Sequence, residues 1–435
     1  MLVSITNVPR PYAWGSTTAI ADLLGREASG GPEAELWLGA TAGSPARLTD
    51  PDQVGGCDDL AAWIQAEPAA ALGARPDEER RLPFLLKVLA AESPLSLQAH
   101  PTLEQAVAGF DRENRAGVPL AAESRSYKDA SHKPELILAL SERFDVLCGF
   151  RPIEESRDLV AQLRRLTASD VRPQPDPLDP LEARLAAAEP LRGAVAWLLS
   201  GSREVDALVA HLVRLADDLT GDGALACGDA LDTARELALA FPGDPGIAVA
   251  LLMNRVRLRR GEALYLPAGN IHTYLRGLGI ELMASSDNVL RGGLTPKHLD
   301  VPELLTVVEF APLPVPHLEP EEPVPGVRVF RPDVTDFVLV HLDLRNQGVE
   351  LTIGGPAIVL ATHGEVRLSG RQGSRAVARG EAVYVTPDEG RLSFHGHGEV
   401  FVATTGGSEL DVAAGPGVGG RPGHLAAGGV ASVVG

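Results

Sequence analysis

The sequence predicts a mainly β chain interrupted by an α-helical insertion, and three observations predict it. From Arg255 to about Ala403, Val, Leu, Tyr and Thr alternate with polar residues between frequent glycine turns, as in a β-sandwich or barrel. Residues 153–252 are instead rich in Ala, Leu, Arg and Glu at helical spacing, as in DALVAHLVRLADDL. Finally, RGEALY at 260–265 recurs as RGEAVY at 379–384, so two copies of one β-unit are expected.

The elements follow in order. Residues 1 to about 50 combine short apolar runs with Gly and Pro and read as strands and turns. Residues 58–82 read as helical. In LPFLLKVLAAESPLSLQAH, 82–100, two apolar runs bracket a turn at Glu92, Ser93 and Pro94 and read as two strands. PELILAL, 134–140, reads as another. Pro and Gly clusters such as RPQPDPLDP punctuate the helical insertion. The segment from Gly406 is rich in Gly and Ala without aromatics and reads as a disordered tail. The expected domains are therefore a discontinuous β-domain (1–152 and 253–320, with the helical stretch near 58–82), an inserted helical domain (153–252), a second β-domain (321–405) and a tail (406–435).

Composition narrows the function. A chain of 435 residues, 45% hydrophobic, is long enough for two or three domains with sizeable cores. It has no apolar run of membrane-spanning length, and its N-terminus lacks the basic and apolar regions of a signal peptide, so a soluble cytoplasmic protein with no membrane partner is expected. A net charge of −19 argues against nucleic acid as a partner. An anionic substrate would need a local cluster of Lys and Arg to oppose that field. Cys57, Cys148 and Cys227 are odd in number and match no zinc or redox spacing, so they read as ordinary thiols.

Metal chemistry is suggested by three segments. Gly261, Pro267, Gly269 and His272 follow the pattern G-x5-P-x-G-x2-H, the second sequence motif of the cupin barrels, lacking only its terminal Asn, where Arg276 stands. Its Pro and Gly make a tight turn that aims the His into a barrel mouth. Aligned without gaps, Arg391 stands opposite His272 in the second copy, so only the first copy is expected to hold a metal. In LQAHP, Gln98 and His100 lie at i and i+2 of a strand and face the same way, and Pro101 ends the ladder. In SHKPELIL, Glu135 opens a core strand, where a carboxylate needs a partner. The N and O donors of Gln98, His100, Glu135 and His272 suit a divalent first-row metal such as zinc.

These residues sit in segments that resemble the type I phosphomannose isomerases. The matching segments are YAWG (12–15), AELWLG (34–39), SLQAHP (96–101), HKPE (132–135), PAGNIH (267–272) and SSDNVLRGGLTPK (285–297). The resemblance implies two cupin barrels or jelly rolls with a helical insertion, of which only the first is catalytic. It implies one Zn2+ per chain, held by Gln98, His100, Glu135 and His272, and a catalytic role for Arg291. The chain departs from the family at Ala40, Thr41 and Ala42, where many members carry a His, and at Gly293, where Ala is frequent.

The implied reaction interconverts mannose 6-phosphate and fructose 6-phosphate through a cis-enediol. It needs a base, stabilisation of developing oxygen charge and a grip on the phosphate. His132, Lys133 and Glu281 are the candidate bases. Arg291, always charged, is expected to stabilise or orient rather than to abstract a proton. Lys133, Arg291 and Lys297 form the expected basic cluster, with Ser96 as a neutral donor, and Trp14 is a candidate wall of the sugar site. A monomer or weak homo-oligomer is expected. The competing readings are a metal-dependent cupin dioxygenase, against which Gln98 and the lack of a third nearby His argue, and a non-catalytic sugar-phosphate-binding cupin.

Overall fold

A computed structural model of the chain describes residues 1–73, 80–167, 175–218 and 227–415. Its strands form two sheets in which every named pair is antiparallel. The first has nine strands, ordered Leu290–Arg291, Gln98–Ala99, His272–Ala284, Phe84–Ala91 and Glu35–Leu38, with Glu135–Ala139, Phe144–Phe150, Met253–Leu258 and Ala263–Leu266 attached. The second has ten, running Val327–Phe330, Val338–Arg345, Arg391–Thr404, Ala357–Ser369, Ala382–Val385, Leu2–Thr6 and Arg47–Leu48, with Val349–Ile353, Ser374–Ala378 and Leu410–Ala414 attached. No helix among the described residues is long and apolar enough to cross a membrane.

The strand Phe84–Ala91 shows how the sequence makes this arrangement. All eight residues are buried, so neither face sees water. Leu86, Val88 and Ala90 join Leu136, Leu138, Ile280 and Leu282 in a core shared with Phe330, Leu339, Leu360 and Phe401 of the second sheet. Leu89 and Ala91 point the other way, into a core lined by Ile137, Phe144, Val146, Leu264 and Tyr274. Lys87 lies on that second face.

The long strand His272–Ala284 serves two sets of partners. Its first half pairs with Phe144–Phe150, and its second half pairs with Phe84–Ala91 and Glu135–Ala139. The change falls at a register shift between Tyr274 and Arg276, beside Gly277 at φ 128°. A Cβ on Gly277 would stand 2.5 Å from the Phe144 ring, so only glycine permits the bend.

The repeated hexapeptide is one turn built twice. Glu262 accepts from the Arg259 N–H at 2.9 Å, and Glu381 accepts from the Ala378 N–H at 2.9 Å. Gly261 (φ 86°) and Gly380 (φ 87°) follow the same left-handed path. The strands Ala263–Leu266 and Ala382–Val385 come next, and each copy then enters a long strand, at His272 and at Arg391. The long strands carry positive-φ glycines, Gly277 and Gly396, at equivalent positions.

Four local expectations change. The first strand, expected in the β-domain of 1–152, pairs instead with Ala382–Val385 of the second sheet, as does Arg47–Leu48 with the first strand. Part of the expected tail, Leu410–Ala414, is a strand against Val349–Ile353; residues 416–435 lie outside the described residues. The stretch 58–82 holds two short helices, Leu60–Ala66 and Pro68–Leu72, with 74–79 outside the described residues. Leu103–Arg115 is a helix within the strand-rich part, started by a reciprocal cap in which the Thr102 hydroxyl accepts from the Gln105 N–H and the Gln105 side chain accepts from the Thr102 N–H. The insertion contains six described helices between Ile153 and Ala250, and its core runs on into Leu147, Leu275 and Leu290 of the first sheet and into Leu97 and Ile271 just before two of its strands.

The two sheets are also joined by charge. Glu399 accepts from Arg260 at 2.8 Å, Thr362 at 2.7 Å and His341 at 3.1 Å. Burial pushes its carboxyl upward, but His341, Thr362 and Arg260 outweigh burial and hold it down at about 2. A depressed acid contributes stability above its unfolded value, about 4.3, and loses it as pH falls towards the folded value. Glu399→Gln should therefore destabilise by roughly 1–3 kcal/mol at pH 7 and by almost nothing near pH 2. Chemical denaturation at both pH values measures this, and an equal deficit at both would contradict it.

Candidate metal centre and its surroundings

The first sheet gathers its polar residues at one end. His272 opens the long strand and pairs in register with Gln98 on one side and Cys148 on the other. Glu135 opens its own strand opposite Met283. The turn before His272 places Gly269 at φ 80°, and its N–H donates to the His100 carbonyl at 2.9 Å. The motif turn thus ties one imidazole-bearing segment to the other.

His100, Glu135 and His272 are each 1% exposed, and one ligand atom from each lies within 4.8 Å of the other two. Nε2 of His100 is 3.2 Å from Glu135 Oε1, and Nε2 of His272 is 3.2 Å from Oε2. Each imidazole turns its Nε2 to that carboxylate and its Nδ1 away from it. The Nδ1 of His100 sits 2.8 Å from the Asn288 carbonyl, and that of His272 sits 3.0 Å from the Asn270 carbonyl. A carbonyl only accepts, so Nδ1 carries a hydrogen in both rings, and the neutral tautomer that this selects has its lone pair on Nε2. Among the described residues, both Nε2 atoms and Glu135 Oε2 are buried without a hydrogen-bond partner. Burial, then the charge of Lys133, lowers the His100 pKa to about 4, so the ring is neutral. Burial alone would raise Glu135, yet Lys133 and His100 hold it well below the usual carboxylate range. Three lone-pair donors facing one point, with no proton among them, fit a divalent cation.

The surrounding charges fit it as well. Lys133 Nζ lies 2.9 Å from Glu135 Oε1. Lys87 Nζ donates to Glu281 Oε2 at 2.8 Å, lies 3.6 Å from Glu35 and sits over the Trp37 ring at 5.1 Å. Glu35 also accepts from Trp37 Nε1 at 2.8 Å. Burial weakens the hold of Lys87 on its proton, but Glu281, Glu35 and Glu135 overcome this and raise its pKa. Glu281 is raised by burial and by the two other carboxylates, against the pull of Lys87. Three buried carboxylates thus meet two buried ammonium groups, one positive charge short of balance.

The other expected site residues divide. Arg291 stands in register with Gln98, half-buried, and has no ion pair or hydrogen bond among the described residues; burial lowers its pKa. Gln98 and Ser96 are half-buried beside it. Trp14 is half-buried and stacks on Tyr12 at 5.7 Å. Lys297 is exposed. His132 is not brought to the cluster: its Nε2 lies 2.9 Å from Asp336 of the loop before Val338–Arg345. Residues alternate along this segment, so Lys133 and Glu135 face the cluster while His132 faces away.

Sequence reading missed Lys87, Glu35, Tyr274, Asn270 and Asn288. A lone charge inside the apolar run FLLKVLAA was the available signal for Lys87. Tyr274 lies between His272 and the Phe144 ring, its hydroxyl buried and turned towards Glu281. Asn288 is fully buried; its amide donates to the carbonyls of Asp129 and Ser131 at 2.8 Å each, while its own carbonyl orients His100.

Comparison with known proteins places this geometry. A family model for the phosphomannose isomerase type I catalytic domain matches residues 2–153. The mannose-6-phosphate isomerase of Escherichia coli is 35% identical over 402 residues, covering 91% of this chain and 97% of its own length. The chain belongs to the mannose-6-phosphate isomerase family. The human mannose-6-phosphate isomerase is 32% identical, covering 82% of this chain and 86% of its own length. A crystal structure of mannose 6-phosphate isomerase bound with zinc and yttrium matches with a TM-score of 0.81 at 33% identity, covering 93% of this chain and 99% of that one. A zinc-bound holo structure matches with a TM-score of 0.80 at the same identity and coverage. The mannose-6-phosphate isomerase family thus supplies solved zinc-bound structures of the same overall fold.

Removing Lys87 leaves Glu281 and Glu35 buried without their ammonium group. Lys87→Met should cost about 3–5 kcal/mol, and adding Glu281→Gln should recover at least half of it. Urea denaturation of the single and double variants checks this; strictly additive losses would contradict it.

Proposed function

We propose that this chain interconverts mannose 6-phosphate and fructose 6-phosphate at one zinc ion held by Gln98, His100, Glu135 and His272. The carrying observation is the convergence of three buried, unprotonated donor atoms of His100, Glu135 and His272, with their Nδ1 atoms fixed on backbone carbonyls. Membership of the mannose-6-phosphate isomerase family at 35% identity over 91% of the chain supports the substrate. The two sheets are read as two cupin barrels of jelly-roll type: 253–320 and most of 1–152 as the catalytic one, 321–405 with the first strand as the other, and 153–252 as an inserted helical domain. The protein is read as cytoplasmic, a monomer or weak homo-oligomer, with a small sugar phosphate rather than nucleic acid as its partner.

Zinc, when bound, would polarise the carbonyl and hydroxyl oxygens on C1 and C2. The chain supplies the rest. Glu281 is assigned as the base, since burial raises its affinity for a proton. Lys87 holds one of its oxygens at 2.8 Å, which fixes the carboxylate that would meet the C–H of the open-chain sugar. Taking the proton from C2 and returning it to C1 from a single carboxylate keeps the transfer on one face, as a cis-enediol requires. Lys133 and Arg291 stabilise the charge that develops on the oxygens. Arg291 is the stronger candidate for orienting the substrate, since it is half-buried and unpaired among the described residues. Ser96 and Lys297 are assigned to the phosphate, and Trp14 to the wall. His132, paired with Asp336, is given no part in the chemistry. A dioxygenase reading is not favoured: Gln98 stands in the ligand set, and no third His accompanies His100 and His272 in the metal-binding group among the described residues.

A coupled assay on mannose 6-phosphate should show fructose 6-phosphate formation that stops on chelation and returns with zinc. Glu281→Gln should lower kcat by about 10²–10⁴-fold with zinc content unchanged, and should abolish exchange of the C2 proton with solvent. No turnover with one zinc bound would overturn the reading; full exchange in Glu281→Gln with exchange lost in Lys133→Met would move the base to Lys133.

A further inference from the structure

The helical insertion reaches the loop that follows Arg291, and it does so through one carboxylate. After the strand Leu290–Arg291, the chain is tied down by Gly292 N–H to Leu97 O at 2.9 Å and Leu97 N–H to Gly293 O at 3.1 Å. It then takes two residues of positive φ, Gly293 at 121° and Leu294 at 55°. Among the described residues, Leu294 and Asn346 are the only non-glycine residues in that region. A leucine there costs on the order of 1–3 kcal/mol and persists only where its surroundings impose it.

Asp244 imposes it. Its Oδ1 accepts from the Leu294 N–H at 2.8 Å and from the Gly246 N–H at 2.7 Å, and its Oδ2 accepts from the Thr295 N–H at 3.3 Å. One carboxylate thus joins the start of the helix Gly246–Ala250 to the loop after Arg291. The approach is close on both sides. A Cβ on Gly293 would stand 3.0 Å from Asp244 Oδ1 and from Gly246 Cα, and a Cβ on Gly246 would stand 2.8 Å from Leu294 Cγ. The Leu294 side chain is fully buried in the core of the insertion. Gly293, one of the chain's departures from the family, is therefore part of the contact.

We propose that Asp244 is a positioning residue for Arg291, so that the helical insertion sets the geometry of the site without touching the substrate. This rests on the reading of Arg291 given above. The Arg291 side chain has no ion pair or hydrogen bond among the described residues, so the backbone position of Arg291 is what roots its reach into the site. Charge-assisted bonds from two N–H groups, those of Leu294 and Thr295, hold the loop that continues that backbone.

The test is a kinetic double-mutant cycle on the zinc-loaded full chain, with Asp244→Ala and Asp244→Asn each made alone and with Arg291→Lys. Asp244→Ala should lower kcat/KM about 10- to 100-fold, because displacing a catalytic group by an ångström has effects of that order. Asp244→Asn keeps one acceptor oxygen and should lose less, and it carries the cycle if the alanine variant fails to fold. In the Arg291→Lys background, either Asp244 change should cost less than threefold further. Equal losses in both backgrounds would overturn the coupling and leave the role of Arg291 intact. Full activity of Arg291→Lys would overturn that role and this one with it.

Discussion

Two imidazole lone pairs face the two oxygens of one carboxylate across 3.2 Å, all of them shut away from water. Such an arrangement is repulsive unless a cation stands among the atoms, and the protein removes the protons that would otherwise relieve it. Asn288 and Asn270 occupy the far nitrogen of each ring with a carbonyl. Lys133 and burial keep His100 neutral. Behind the cluster, Lys87, Glu281 and Glu35 form a second buried group, with one ammonium facing two carboxylates. A bound divalent ion would give the three facing lone-pair atoms a common partner, and the bend at Gly277 and the turn at Gly269 are what bring them together.

The second sheet shows the same scaffold without that constraint. Its hexapeptide turn makes the same side-chain bond and enters a long strand with its own positive-φ glycine. At the position of His272 it carries Arg391, which pairs with Glu350 at the surface. Opposite Glu281 it carries Val400, fully buried among aliphatic side chains. One copy therefore spends its interior on packing and the other on chemistry, and the shared core of Phe330, Leu360, Leu282 and Val88 holds the second against the first. Glu399 and Arg260 close the seam with charge.

What was legible in the sequence is what local spacing encodes. Gln98 and His100 share a strand face, Glu135 opens an apolar run and the Pro–Gly turn ends in His272; those three segments meet at one end of the first sheet. The helical texture of 153–252 and the repeated hexapeptide were legible for the same reason. Long-range pairing was not. The first strand belongs to the second sheet because Val3 meets Tyr384, a register that no local period records. His132 and Lys133 looked alike until strand alternation sent one to Asp336 and the other to Glu135. Asp244 carries no local mark of a role; its meaning lies in the three N–H groups it accepts from, two of them contributed by the loop after Arg291.

The most direct test of this account is anomalous X-ray scattering at the zinc edge from crystals of the zinc-loaded protein. The account predicts a single strong peak bonded to Nε2 of His100, Nε2 of His272 and a Glu135 oxygen, at about 2.0–2.2 Å from each, with the Gln98 side chain as the fourth ligand. A zinc-loaded protein whose peak lies elsewhere, with His100 and His272 hydrogen-bonded to Glu135 through Nε2 protons, would contradict it.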